Sequence, residues 1–125
     1  MKEVMAFLRV NKVNDTKRAL AEAGFPSFTC RRVLGRGRKT ADPLLAHLAL
    51  ESGQLPANAQ GESLTEHMRL IPKRFFTVVV ADQQAADEVI QTIIRVNQTG
   101  NPGDGKIFVI DIPEAYRVRT GDMVL

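Results

Sequence analysis

The stretch FFTVVVADQQAADEVIQTII, residues 75–94, decides the fold. Its first six residues are all aromatic or β-branched, the composition of a strand. Asp82 follows, a residue type that caps helices by accepting a first-turn N–H. Behind it Ala86, Val89, Ile90, Ile93 and Ile94 fall on one face at helical spacing. A glycine-rich loop, residues 99–106, comes next, and Ile107, Phe108, Val109 and Ile110 read as another strand. The N-terminal part repeats this order. Residues 4–10 are a short, mostly apolar run, Asn14 or Asp15 can cap a helix through Ala23, and Gly24 is a natural stop. Residues 25–34 then read as a strand ended by Gly35-Arg36-Gly37. Two β-α-β units predict an α+β, ferredoxin-like split βαβ fold: an antiparallel sheet with two helices on one face.

The strands predict more than topology. Met5, Phe7 and Leu8 put apolar side chains on both faces of the first strand, as do residues 75–80 on the third. Two helices cover one face only, and a water-facing sheet alternates apolar with polar. The second face is therefore expected to meet another subunit. An RNA-binding sheet would need exposed strand aromatics. Phe75 and Phe76 are adjacent, point to opposite faces and are expected to form no stacking pair, so no nucleic-acid partner is expected.

The 125 residues suffice for one domain with a real core, 44% are hydrophobic and 25% charged. No apolar run is long enough to cross a bilayer, and residues 1–4 lack a signal-peptide pattern, so a cytoplasmic location without membrane insertion is expected. The single cysteine, Cys30, reads as a packing residue. His47 and His67 have no metal-like spacing, and no Ser/His/Asp or Cys/His arrangement appears; neither an enzyme nor a metal site is expected. Net charge is +3, with basic residues gathered at Arg31, Arg32, Arg36, Arg38 and Lys39, at Lys73 and Arg74, and at Arg117 and Arg119. Basic groups beside glycine turns suit a compact polyanion such as a nucleotide.

Residues 39–71 are too long for a bare connection. Asp42-Pro43 looks like the start of a helix carrying Leu44, Leu45, Leu48 and Leu50 and ending at Gly53, and Ser63 to Glu66 fits a capping box. Two readings stand: a helix folded back on its own domain, or an arm with a leucine face for a partner.

Residues 100–106, GNPGDGK, satisfy the first seven letters of a P-loop, but Ile107 replaces the hydroxyl that would hold magnesium. A helix precedes this loop and a strand follows, the reverse of a P-loop. An NTP-hydrolysing enzyme would also need that magnesium ligand and a base near the γ-phosphate. The loop can still bind an anion: Gly100, Gly103 and Gly105 let N–H groups converge as a nest, and Lys106 adds a charge. Arg117 and Arg119, at period two on an extended segment, would supply guanidinium forks for polyphosphate.

At these residues the chain resembles the PII signal-transduction proteins of nitrogen regulation. Thr99-Gly100-x-x-Gly103-Asp104-Gly105-Lys106-Ile107-Phe108-Val109 is similar to that family's B-loop, and Arg117-Val118-Arg119-Thr120-Gly121 to its C-terminal arginine motif. Gly35-x-Gly37-Arg38 opens its T-loop, about 37–72 here, and Pro72-Lys73 closes it. The resemblance implies a single PII-like domain assembled as a trimer, with ATP or ADP between subunits and 2-oxoglutarate beside ATP and magnesium. It implies phosphate contacts from Arg38, Gly103, Gly105, Lys106, Arg117 and Arg119, with Gly37 and Asp104 also in the nucleotide site. Thr29 would lie near the base, with Thr77 and Val79 close by. Lys73 and Lys39 would meet 2-oxoglutarate. Lys39 stands where the family has a metal-binding glutamine, and an ammonium has no lone pair for magnesium. Thr77 replaces a family glutamate, and the T-loop lacks the tyrosine that many members carry; Tyr116 is the only one.

The long T-loop, Arg31-Arg32 and residues 97–106 resemble one branch most: the second of the paired PII-like proteins encoded with nitrogenase. The resemblance implies direct inhibition of dinitrogenase, relieved by 2-oxoglutarate with ATP, and a sister PII-like subunit as a further partner. Leu44, Leu45, Leu48, Leu64 and Met68 would dock on the target. A general PII protein acting on an ammonium transporter or a biosynthetic enzyme is the alternative.

Overall fold

The computed structural model describes residues 1–37 and 70–124. Strand β1 (Lys2–Leu8) leads through a 3-10 turn at Val10–Lys12 into helix α1 (Val13–Glu22) and strand β2 (Thr29–Gly35). Strand β3 (Ile71–Val80), helix α2 (Gln83–Asn97) and strand β4 (Lys106–Asp111) repeat the unit. The strands form one sheet in the order β2-β3-β1-β4, with β1 antiparallel to both β3 and β4. This is the split βαβ order expected from the two repeated units. One compact unit comprises Met1–Val33 and Lys73–Leu125; the other is Leu34–Pro72, whose described residues are the end of β2, Arg36, Gly37, Leu70 and the start of β3.

The period of two sorts the strands. Val4, Ala6 and Leu8 on β1 and Phe76, Val78 and Val80 on β3 are buried with Leu20, Ala86, Val89 and Ile93 from the helices. Phe28 stacks on Phe76 at 5.2 Å between ring centroids. Asp82 caps α2 as expected, accepting from the Ala85 N–H at 2.8 Å. The cap expected for α1 is different: neither Asn14 nor Asp15 holds that position. The helix starts at Val13 because the 3-10 turn feeds straight into it, with Lys12 N–H donating to Arg9 O at 3.1 Å. The end of α1 follows the glycine rule. Gly24, at φ +95°, lets Phe25 N–H reach Leu20 O at 2.8 Å and Gly24 N–H reach Ala21 O at 3.1 Å, a Schellman closure. Strand β2 starts at Thr29, later than residue 25, and Gly35 still belongs to it.

A polar bridge joins the helices inside the core. Asn97 Nδ2 donates to Thr16 Oγ1 at 3.1 Å and to Ile93 O at 2.9 Å, while Thr16 Oγ1 donates to Lys12 O at 2.7 Å.

The helix-free face carries an aromatic row that adjacency in sequence conceals. Phe76 enters the core, but Phe75 meets Phe7 across the strand pair at 4.9 Å, and Phe7 meets Phe108 edge-on at 6.3 Å. The Arg31 guanidinium lies 5.3 Å from the Phe75 ring centroid, within cation–π range. Phe75 and Phe76 point to opposite faces and do not pair with each other, as expected; the aromatic partners of Phe75 come instead from neighbouring strands at register, with Phe7 opposite it. Val79 at 53% and Ile110 at 48% exposure extend the same apolar surface.

Candidate functional site

The loop between α2 and β4 is organised by one carboxylate. Asp104 Oδ2 accepts from Thr99 N–H at 2.8 Å and Gly100 N–H at 2.9 Å, and its Oδ1 accepts from the Thr99 hydroxyl and from Arg9 Nη1, the latter at 2.6 Å. The loop's end is thus tied to its beginning. The Thr99 hydroxyl and N–H, then the Arg9 guanidinium, hold the Asp104 carboxyl well below the usual carboxylate range. A folded-state value below the unfolded 3.8 means that the stabilisation is complete above that pH and drains as pH falls below it. An NMR titration should find Asp104 still fully ionised at pH 3.8; a midpoint near 3.8 would show that the loop does not hold it.

Three glycines make the path possible. Gly100, Gly103 and Gly105 have φ of +86°, +100° and +110°, the left-handed region that other residues rarely adopt. Gly105 is also the point of closest approach: a Cβ there would lie 2.0 Å from the Phe7 carbonyl oxygen. Two cations meet the neighbouring carbonyls. Arg9 Nη2 donates to Pro102 O at 3.1 Å, and Lys73 Nζ donates to Gly103 O at 3.2 Å. The described peptides are trans, so the N–H groups of Gly103 and Asp104 point away from those carbonyls. Lys106 opens β4 opposite Phe7, exposed. Beside the loop, between α2 and β4, lies a cavity of about 510 Å³ with Leu8, Ile90, Ile94, Ile107 and Val109 on its walls and Gly105 and Lys106 at its loop end.

Gly103, Asp104, Gly105, Lys106 and Lys73 are therefore brought together. The Asp104 carboxylate is turned onto its own loop. Thr77, half-buried, and Val79, exposed, share one face of β3, and Thr29 opens β2 exposed to solvent. Gly37 is exposed and does not use left-handed backbone. The expectation of an extended segment at Arg117 and Arg119 is corrected. Tyr116 pairs with Met123, Arg117 N–H donates to Asp122 O at 2.8 Å, and Gly121 N–H, at φ +77°, donates to Arg117 O at 2.7 Å. The chain thus turns at residues 118–120, and both arginines sit exposed on a small hairpin. Sequence reading took the period of two for an extended segment, whereas Thr120-Gly121 supplies the turn. It also missed Arg9, whose link to Asp104 spans 95 positions and has no local signature.

Arg38, Lys39, Leu44, Leu45, Leu48, Leu64 and Met68 lie outside the described residues, as do the expected helix from Asp42 to Gly53, the capping box and both histidines. Among the described residues no group of three His, Cys, Asp or Glu is placed to hold a metal ion. Among the described residues the loop offers magnesium no free carboxylate, since the Asp104 oxygens are already engaged, and Lys39 brings by its chemistry an ammonium without a lone pair.

Among the described residues no helix is long and apolar enough to cross a membrane. The chain is 44% identical over 123 residues to the "Nitrogen fixation nifHD region GlnB-like protein 2" of Methanobacterium ivanovii, covering 96% of this chain and 93% of that one. It is 43% identical over 126 residues to the "Nitrogen fixation nifHD1 region GlnB-like protein 2" of Methanosarcina barkeri, at 98% and 94% coverage. It is 37% identical over 123 residues to the "Nitrogen regulatory protein P-II" of Klebsiella oxytoca, at 98% and 95% coverage. The family model described as Nitrogen regulatory protein P-II matches residues 1–122. With the ferredoxin-like sheet and the glycine loop, these matches show that the chain belongs to the nitrogen regulatory protein P-II family.

Proposed function

We propose that this protein is a cytoplasmic signalling subunit that binds ATP or ADP, responds to 2-oxoglutarate and docks its T-loop, about 37–72, on dinitrogenase to inhibit nitrogen fixation. The observation that carries this reading is the pre-shaped loop with three left-handed glycines, held by Asp104 and followed by Lys106. A nest of N–H groups and an exposed lysine suit phosphates, and an apolar cavity borders them. Gly103, Gly105 and Lys106 would meet the phosphates, with Arg38, Arg117 and Arg119 as guanidinium partners, while Thr29, Thr77 and Val79 would lie toward the base; Gly37 would open the T-loop. Lys73 and Lys39 would pair with 2-oxoglutarate, without magnesium held by the protein. The aromatic row of Phe7, Phe75 and Phe108 supports a trimer, because three half-exposed rings on one sheet face suit burial against another copy or a sister PII-like subunit. The nifHD-region names of the relatives support dinitrogenase as the target.

The test is an acetylene-reduction assay with purified nitrogenase. Adding this protein, with its sister subunit where one exists, should lower activity, and 2-oxoglutarate with ATP should restore it. Undiminished activity, together with capture of an ammonium transporter, would replace dinitrogenase as the target.

Arg117→Ala and Arg119→Ala should each weaken ATP by about tenfold or more, since a charge-assisted hydrogen bond contributes roughly 1.5–3 kcal/mol. Both side chains project from an exposed hairpin, so the thermal midpoint should stay near that of the wild type. Calorimetry giving unchanged affinity in both variants would remove these arginines from the phosphate site.

A further inference from the structure

From the loop geometry we propose that Arg9 is the positioning residue of the phosphate cradle, a role that rests on the nucleotide reading above. Arg9 follows β1 and reaches the loop with both ends of its fork: Nη1 to Asp104 Oδ1 at 2.6 Å and Nη2 to Pro102 O at 3.1 Å. It also limits Gly103, where a Cβ would stand 3.2 Å from Nη2. With Lys73 on Gly103 O, two consecutive carbonyls of the loop are drawn to cations. In trans peptides that orientation sends the N–H groups of Gly103 and Asp104 the opposite way, as a pair of donors for an anion. Arg9 is itself matched to Asp104, so its charge is already paired, and it acts on a phosphate through the loop. A lysine offers one nitrogen on a flexible stem, whereas the planar guanidinium reaches the two acceptors with two separate nitrogens at fixed spacing, so arginine fits the loop better.

The experiment compares wild type, Arg9→Gln and Arg9→Lys by ¹⁵N relaxation without ligand and by calorimetry with ATP. Arg9→Gln should lower the order parameters of Gly103 and Asp104 while leaving those of β1 and β4 unchanged. It should weaken ATP about tenfold, in line with the loss of a charge-assisted contact. Arg9→Lys should recover part of that affinity, having restored the charge on Asp104 without the Pro102 bond. A merely structural arginine would lower the thermal midpoint and leave the affinity of the folded protein at wild type. Unchanged order at Gly103 and Asp104, or wild-type ATP affinity in Arg9→Gln, overturns the proposal. If the wild type binds no ATP, the nucleotide reading fails on that measurement alone; loss of loop order in Arg9→Gln then still records the arginine holding the loop.

Discussion

Gly105→Ala is expected to be the most damaging single substitution in the loop, lowering stability and abolishing ATP binding together. Two physical reasons coincide at this residue. Its φ of +110° is strained for any side chain, and its Cβ would stand 2.0 Å from the Phe7 carbonyl oxygen. That oxygen belongs to the backbone of β1, which is held by β3 and β4 on either side, so it cannot swing away as a side chain would. Strain at such a position costs about 1–3 kcal/mol and forced overpacking costs about as much again. Against a typical domain stability of roughly 5–15 kcal/mol the loss is large. Gly24→Ala is the control: φ is similar, +95°, but nothing lies within 4 Å of its Cβ, so only backbone strain remains. Thermal unfolding should show a much larger drop for Gly105→Ala than for Gly24→Ala. Equal drops would mean that the loop can lift off β1 and that the close approach is not a constraint.

Replacing residues 43–67 by a short flexible linker is expected to leave ATP binding and remove inhibition of dinitrogenase. Among the described residues the buried core, from Val4 to Ile93, lies in the unit formed by Met1–Val33 and Lys73–Leu125. Closing a loop of different length changes the entropy slowly, about 0.6 kcal/mol per doubling, so the shortened chain should still fold. The deletion takes away Leu44, Leu45, Leu48 and Leu64, the apolar residues proposed to meet the target, and retains Arg38, Lys39 and Met68. A reduction of nitrogenase inhibition to background, with ATP affinity within a few fold of wild type, is the expected outcome. Full inhibition by the shortened protein would place target recognition elsewhere, and failure to fold would assign the leucines to the core or a subunit contact.

What could be read from sequence was what repeats locally. Helix α2 was legible because Ala86, Val89 and Ile93 recur at 3.6-residue spacing behind a capping aspartate. The two-sided strands were legible because the period of two failed to alternate. The start of α1 was not, because a 3-10 turn at Val10–Lys12 needs no side-chain cap. The arginine hairpin was misread because two residues at period two are compatible with either a strand or a turn. In the site, the glycines and Lys106 announced themselves in one stretch of seven residues, GNPGDGK. What holds that stretch in shape did not: Arg9 reaches Asp104 only because β1 and β4 are neighbours, and Phe7 finds Phe75 and Phe108 only through strand register.

Calorimetric titration of the purified 125-residue chain with ATP tests the central claim most directly. Saturable binding of about one nucleotide per chain is the predicted result, with ADP competing and Gly105→Ala failing to bind. No saturable binding of either nucleotide up to millimolar concentration, by a chain whose thermal transition shows it to be folded, would contradict the assignment of the glycine loop as a phosphate cradle.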